Sequence, residues 1–358
     1  MELKKIFAGR KVLVTGHTGF KGSWLTLWLN ELGAEVSGYA LEPPTHPSLF
    51  DEAEVEEICD HYIGDLRDED CLRNRIEKVQ PEIVFHLGAQ PIVSEGYKDP
   101  KGTFATNVQG LVNLLDTLRH CPSARVCVVV TTDKVYENRE WHHAYRECDA
   151  LGGHDPYSAS KACAELITTC YRKSFFTSSA NSSLSLSSAR AGNVLGGGDW
   201  STHRLLPDCA RAVADEREVE LRHPNATRPW LHVLDALAGY LMLAAKQWEE
   251  PGEYASSWNF APLQSEHVSV AQVVDGFFKS WGRGKWRNTG KEVGHEATYL
   301  SLDGTKTATV LGWKPGATLQ KTLADAANWY KGRLENPDFN SRQECLRQIR
   351  RYMNADGK

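Results

Sequence analysis

The sequence predicts an α/β fold, a Rossmann-type doubly wound parallel sheet with a smaller C-terminal mixed α/β substrate domain. Three observations carry this. Near-continuous apolar runs alternate with amphipathic helical stretches through the first half of the chain. A glycine triplet occupies the first strand-to-helix turn. The alternation stops after Gly196-Gly197-Gly198, where a mixed pattern begins. Strands that are apolar throughout belong to parallel sheets covered on both faces.

The elements follow in order. KVLVTG (11–16) reads as a strand, and SWLTLWLNELG (23–33) as a helix with a glycine stop. AEVSGYAL (34–41) is a second strand, and a third precedes Gly64-Asp65-Leu66. EIVFHLGA (82–89) and ARVCVVVTT (124–132) are strands separated by a long amphipathic helix at 103–120. The segment 156–175 is a helix. Residues 183–191 have a serine-rich, linker-like composition, but Leu184 and Leu186 alternate with serines where the series needs its next strand. Further on, 206–216, 232–248 and 318–334 read as helices and 256–262 as a short strand. Residues 1–192 with about 232–261 are expected to form the sheet domain, and about 193–231 with 262–358 the second lobe.

The chain has 358 residues, enough for two lobes, and 41% hydrophobic with 24% charged residues is a globular composition. A net charge of −5 argues against a general nucleic-acid binder. No window approaches the roughly 20 apolar residues of a membrane span. The N-terminus lacks the apolar stretch of a signal peptide, so a cytoplasmic location is expected. Nine cysteines without CxxC pairs read as reduced thiols, with Cys127 and Cys163 in core-like segments. His142 and His143 are adjacent, not spaced as ligands, and no metal is assigned.

Gly16-His17-Thr18-Gly19-Phe20-Lys21-Gly22 gives G-x-x-G-x-x-G. Such glycines allow a tight turn and let the backbone and a helix N-terminus approach a pyrophosphate. His17 either contacts the dinucleotide or fills the turn. The second strand ends in GYALEPP, without the acidic residue that usually holds an adenosine ribose; Glu42 lies slightly late. No arginine stands there for a 2′-phosphate, which favours NAD over NADP. Asp65 and Leu66 border the expected adenine site. Tyr157-Ser158-Ala159-Ser160-Lys161 opens a helix, and i, i+4 spacing sets the phenol and the ammonium on one face. A nearby cation favours phenolate, which would make Tyr157 a base.

TGHTGFKG, HLGAQ, TTDKVY, YSASK, RAGNVLGGGDW and TRPWLHVLD together resemble the extended short-chain dehydrogenase/reductase family, in its nucleotide-sugar branch, over nearly the whole chain. HTGFKG, TTDKVYEN and GGGDW look like the part of that branch that dehydrates CDP-glucose. The resemblance implies tightly held NAD and a homodimer or tetramer formed through helices near 103–119 and 157–173. It also implies Gly16, His17, Gly19, Phe20, Gly22, Asp65, Leu66, Leu87, Ala89, Asn107, Tyr157 and Lys161 around the cofactor. The implied reaction oxidises carbon 4, eliminates water across carbons 5 and 6, and returns hydride to carbon 6. Its implied product feeds the O-antigen of bacterial lipopolysaccharide.

In that reaction Tyr157 is the base and Lys161 binds the nicotinamide ribose. Thr132 bonds the 4-oxygen and Asp133 is the acid for the leaving 6-hydroxyl. Relatives acting on dTDP-glucose hold glutamate where this chain has Lys134, which is the carbon-5 base, a stabiliser of the enolate or a solvated strand-end bystander. A base must be neutral, and an adjacent carboxylate opposes that. Asn193, Arg204 and Arg228 are expected to hold the diphosphate, for which a guanidinium fork is suited. Gln90 is expected to face the sugar. A nucleotide-sugar 4-epimerase would use the same Tyr157, Lys161 and glycine loop without needing Asp133. A non-catalytic dinucleotide sensor would not need Tyr157 or Lys161, and both are present.

Overall fold

The computed structural model describes residues 3–176, 184–261, 268–290 and 299–356. Six parallel strands form the central sheet: β1 (Lys11–Thr15), β2 (Glu35–Tyr39), β3 (Ile83–His86), β4 (Val126–Val130), β5 (Ser185–Ala191) and, late in the chain, Ser257–Phe260. Their order is β2-β1-β3-β4-β5 with Ser257–Phe260 at the edge. The register runs Val12 to Val36 and to Ile83, Val84 to Cys127, and Cys127 to Leu186. The expected third strand is reduced to single parallel bridges, Ser37 to Asp60 and Ala40 to Ile63, which extend the sheet beyond β2. The chain reverses its direction of winding at β1, and in such sheets ligands bind at the C-terminal strand ends beside that switch point.

β3, β4 and β5 are buried along their whole length. β3 and β4 achieve this with side chains that are apolar except for His86, which bonds Thr15, whereas β5 reads SLSSARA. Its serines are buried because partners elsewhere satisfy them: Ser187 donates to Gln247 at 2.8 Å and Ser188 to Glu165 at 2.7 Å. The expected start of β5 at residue 183 lies outside the described residues. One face of the sheet carries the helix Phe20–Glu31 and the helix Val233–Glu249; Trp24, Trp28, Leu237 and Leu241 fill that core. The other face carries the helices Gly110–Arg119 and Pro156–Tyr171.

Beyond β5, two short parallel pairs build the smaller region. β6 (Asn193–Leu195) pairs with β8 (Trp230–His232), and β7 (Val219–Leu221) pairs with β10 (Trp286–Asn288), Ser257–Phe260 being β9. The helices Leu205–Ala214, Val270–Trp281 and Leu319–Glu335 pack around them. The last helix, Ser341–Asp356, returns to the first lobe. There Tyr352 packs edge-on against Trp28 and donates to Asp235 at 2.6 Å, and Arg350 pairs with Glu31 at 2.9 Å. Cys127 is buried as expected, but Cys163 is only half-buried and Cys148 and Cys170 are exposed. Among the described residues no helix is long and apolar enough to cross a membrane.

Candidate active site

Gly16 closes β1 with φ +76°, and a Cβ there would lie 2.7 Å from the Gly88 nitrogen. A Cβ on Gly22 would overlap the Gly16 carbonyl. The loop therefore packs backbone against backbone, which only glycine permits. The helix Phe20–Glu31 then starts at Gly19 with no side-chain cap and no acidic residue in its first turn. Its first N–H groups are left for an anion, and the helix dipole favours one. This cradle fits a dinucleotide pyrophosphate.

His17 does not turn toward that cradle. Its ring is fully buried, packs edge-on against Phe50 and lies 2.6 Å from His61, Nε2 to Nδ1. Gly38 must be glycine because a Cβ there would overlap the His17 ring. Burial, helped by His61 and Arg75, pushes its pKa down to about 3, so it is neutral. Of the two expectations for His17, turn filling has the structural support. Asp65 is also engaged elsewhere: Arg67 donates Nε to both carboxylate oxygens, at 3.0 and 2.9 Å, and its hydrogen bonds hold the carboxyl below its ordinary range. Leu66 is buried against Gly88 and Gly110, and Leu87 and Ala89 are half-buried at the end of β3.

Two motif residues bond mainly to one another. Asn107 lies in a widened π turn, Ala105–Gln109, a distortion common at functional sites. Its Oδ1 accepts from the Gln90 N–H at 2.8 Å, and its Nδ2 donates to the Gln90 carbonyl at 3.1 Å and to Ser160 at 2.9 Å. Gln90 donates its amide to Thr103 at 2.8 Å and accepts from the Ile92 N–H at 2.6 Å. Both side chains hold the turn after β3 against the Tyr157 helix. Gln90 itself is half-buried, with its amide bonded within the turn.

The residues expected to be catalytic come together where β4 ends. A 3₁₀ turn, Asp133–Val135, follows Thr132, whose hydroxyl donates to Asp133 Oδ1 at 2.8 Å and accepts from the Lys134 N–H at 3.4 Å. Asp133 is buried, and its Oδ2 has no hydrogen-bond partner. Burial raises its pKa against the opposing pull of Lys134, Thr132 and Arg228. Lys134 itself is half-buried. The helix Pro156–Tyr171 is capped by Asp155, which accepts from the Ser158 N–H at 3.0 Å. It thereby presents Tyr157 and Lys161 to the same place. Lys161 donates to the Val130 carbonyl at 3.2 Å, and burial pushes its pKa down to about 8 with Glu165 resisting. Burial also raises Tyr157, while Arg204 and the hydrogen bond to Thr132 pull it back. In the protein alone, desolvation therefore outweighs the expected cationic assistance to Tyr157.

On the far side of the cleft, Asn193, Asp199, Arg204 and Trp230 line one pocket with Gly196. Arg204 donates to the Pro91 carbonyl at 3.2 Å and its charge reaches Tyr157. Arg228 is buried, and its charge reaches Asp133. Phe20 reaches the same loop, since a Cβ on Gly196 would meet its ring at 3.2 Å. One residue escaped the sequence reading although it stands inside the glycine motif. Lys21 is half-buried 5.9 Å from the Tyr240 ring, and burial, Lys161 and Arg204 push its pKa down to about 7 against Asp133 and Asp199. Tyr240 is fully buried with its hydroxyl unpartnered, within the field of Tyr157.

Known proteins resemble this chain at two levels. It is 44% identical over 355 residues, 98% of each chain, to a CDP-glucose 4,6-dehydratase of Salmonella typhimurium. A dTDP-glucose 4,6-dehydratase of Xanthomonas campestris is 25% identical over 340 residues, 89% of this chain and 92% of that one. Among solved structures, a dTDP-glucose 4,6-dehydratase of Streptomyces venezuelae with NAD bound superposes with a TM-score of 0.77, at 23% identity over 90% of this chain and 98% of that one. A UDP-glucose 4-epimerase of Stenotrophomonas maltophila with NAD bound gives 0.78, at 21% identity over the same shares. Residues 13–326 match the family described as GDP-mannose 4,6 dehydratase, and it is to this family that the chain belongs.

Proposed function

We propose that the protein is an NAD-dependent hydro-lyase that converts CDP-D-glucose to CDP-4-dehydro-6-deoxy-D-glucose and water. The observation that carries this reading is Asp133, a buried carboxyl with a raised pKa and a free oxygen, one hydroxyl away from Tyr157. An elimination needs an acid for its leaving hydroxyl; an epimerisation does not. The relative at 44% identity, itself a CDP-glucose 4,6-dehydratase, supports the cytidine form of the substrate.

Bound NAD supplies a hydride acceptor and then the same hydride's donor, so it is regenerated. The chain's own groups handle the protons. Tyr157 takes the proton of the sugar 4-hydroxyl, and Thr132 holds the 4-oxygen by hydrogen bonding. Lys161 keeps positive charge beside both and meets the nicotinamide ribose. The ketone acidifies the carbon-5 proton, and Asp133 protonates the 6-hydroxyl as it departs. Lys134 either accepts the carbon-5 proton, as a neutral amine, or stabilises the enolate, as an ammonium; its charge acts on Asp133. Asn193, Arg204 and Arg228 hold the diphosphate. NAD is assigned to residues 1–192 with about 232–261, since β9 and the helix before it complete the central sheet. A ligand-bound structure with NAD seated mainly on 262–358 would overturn that division.

Incubation with CDP-glucose and, separately, with dTDP-glucose, followed by mass analysis of the products, tests the reading. Loss of one water from CDP-glucose alone is expected. Equal reaction of dTDP-glucose would make the enzyme a dTDP-glucose-type dehydratase. An unchanged mass with altered sugar stereochemistry would make it an epimerase.

We propose in addition that the protein is a homodimer or tetramer built through the helices near 103–119 and 157–173. Leu166 is 59% exposed on the second of these helices, and Phe104 37% exposed at the start of the first. Apolar side chains this open on neighbouring helices suit a buried contact. Leu166→Glu is expected to halve the mass seen by sedimentation; an unchanged mass would place the contact elsewhere.

A further inference from the structure

Glu165 stands one helical turn beyond Lys161 and two beyond Tyr157, on the same helix face. It is fully buried. Its Oε1 accepts from the Thr131 hydroxyl at 2.5 Å. Its Oε2 accepts from Arg190 at 2.7 Å, Ser188 at 2.7 Å and Ser257 at 3.3 Å. One carboxylate thus joins the catalytic helix to the end of β4, to β5 and to β9. Burial pushes its pKa up, and Arg190 with the Thr131 and Ser188 hydroxyls more than reverses this, so it is ionised. Arg190 continues the network: it donates to Tyr136 Oη at 2.7 Å, and Tyr136 in turn donates to Asn259 at 2.7 Å.

Stability alone is a weak reason for such a pair. Desolvating two charges costs about what their attraction returns, and apolar residues of similar volume often serve as well. What an apolar pair would lack is direction and charge. The direction falls on Thr131, whose neighbours Thr132 and Asp133 form the turn facing Tyr157. The charge falls on Lys161. From its own helix Lys161 is faced by Tyr157 and Glu165. From the other elements packed around it, its field meets His86 on β3 and Lys21 on the glycine-loop helix, and its hydrogen bond goes to the Val130 carbonyl. His86 is held neutral, its pKa pushed down to about 3 by burial and Lys161, and Lys21 repels. Glu165, one turn along the same buried helix face, is the anion that pulls the Lys161 pKa up.

We propose that Glu165 is a positioning residue of the active site: its buried carboxylate, ion-paired directly to Arg190, ties the Thr131–Asp133 turn to the Tyr157–Lys161 helix and favours the Lys161 ammonium one helical turn away. The inference rests on the reading of Lys161 as a dinucleotide-binding ammonium. It does not rest on which sugar nucleotide is turned over.

The test is therefore NAD affinity against pH, measured calorimetrically without any sugar. In the wild type, affinity is expected to fall as pH rises through about 8, where Lys161 loses its proton. Glu165→Gln removes the charge and keeps the shape, and this alkaline limb is expected to move down by roughly one pH unit or more, the usual effect of a near counter-charge. Glu165→Asp keeps the charge and is expected to leave the limb in place. Thr131→Val cuts only the tether. It is expected to lower kcat for dehydration without moving the limb, and it carries the test if the Gln variant fails to fold. A folded Glu165→Gln protein whose limb stays at the wild-type position would overturn the proposal. So would a Thr131→Val protein that turns over normally. A wild-type protein that binds NAD normally but dehydrates no nucleotide sugar would instead defeat the proposed function and leave the counter-charge result standing.

Discussion

With Tyr157 replaced by phenylalanine, no NADH is expected to appear when substrate is mixed with the NAD-loaded protein. A positioned acid–base group is worth roughly 10²–10⁴ in rate, and here the first step has no other placed acceptor for the 4-hydroxyl proton. The fold should survive, because phenylalanine keeps the ring packing and gives up only the hydroxyl. Absorbance of NADH in a stopped-flow burst separates this from a product-release defect. A normal burst would refute the base assignment. The pH dependence has a definite sign. Burial raises the Tyr157 pKa, so the phenolate fraction and the oxidation rate grow as pH rises. Lys161 reverses the trend at about 8, where it loses the charge proposed to hold the dinucleotide. Oxidation should thus peak near that value and fall on both sides.

Much of this site was legible because it is local. The glycine loop, the strand-end Thr132-Asp133 and the i, i+4 pair Tyr157 and Lys161 each announce themselves within a few residues. What escaped is what depends on distant partners. Gln90 and Asn107 are both expected at the site, yet the Asn107 amide bonds the Gln90 backbone across 17 residues, which no local pattern reports. Glu165 continues the Tyr157, Lys161 stripe, but only the fold shows that Arg190 and three hydroxyls make its burial tolerable. Lys21 reads as an ordinary helix-start lysine until the helix Val233–Glu249 puts Tyr240 beside it. The same division holds for the fold. The apolar strands were readable, and β5 was readable only from its place in the series. The helix Glu69–Val79 hides buried Leu72, Ile76 and Val79 among charges and was missed. The helix Val270–Trp281 was missed despite its Ser269 and Gln272 capping box, a signal that was there to be used.

Asp133→Asn should split the reaction where Tyr157→Phe stops it. Asparagine preserves the acceptor for the Thr132 hydroxyl and the volume of the site, so oxidation at carbon 4 should continue. It cannot supply the proton for the departing 6-hydroxyl, and elimination is expected to slow by roughly 10²–10⁴. NADH and the 4-keto sugar should then accumulate together, visible as a stable absorbance and as an intermediate that has not yet lost water. If both steps slow equally, Asp133 positions the substrate and does not act as the acid. The wild-type pH profile gives an independent check. Because burial raises the Asp133 pKa, its acid form persists above the usual carboxyl range, and elimination should decline as pH rises through the raised value. Stability must follow the same linkage. A group with a raised folded pKa contributes most below its unfolded pKa and loses that contribution as pH climbs through the folded one. Above that raised value the wild type carries the cost of a buried charge that asparagine does not. Asp133→Asn should therefore melt at a higher temperature than wild type above it, and the gap should close as pH falls through it. Such a residue is costly to keep ionised, and it is kept at the one position where the proposed chemistry needs a proton.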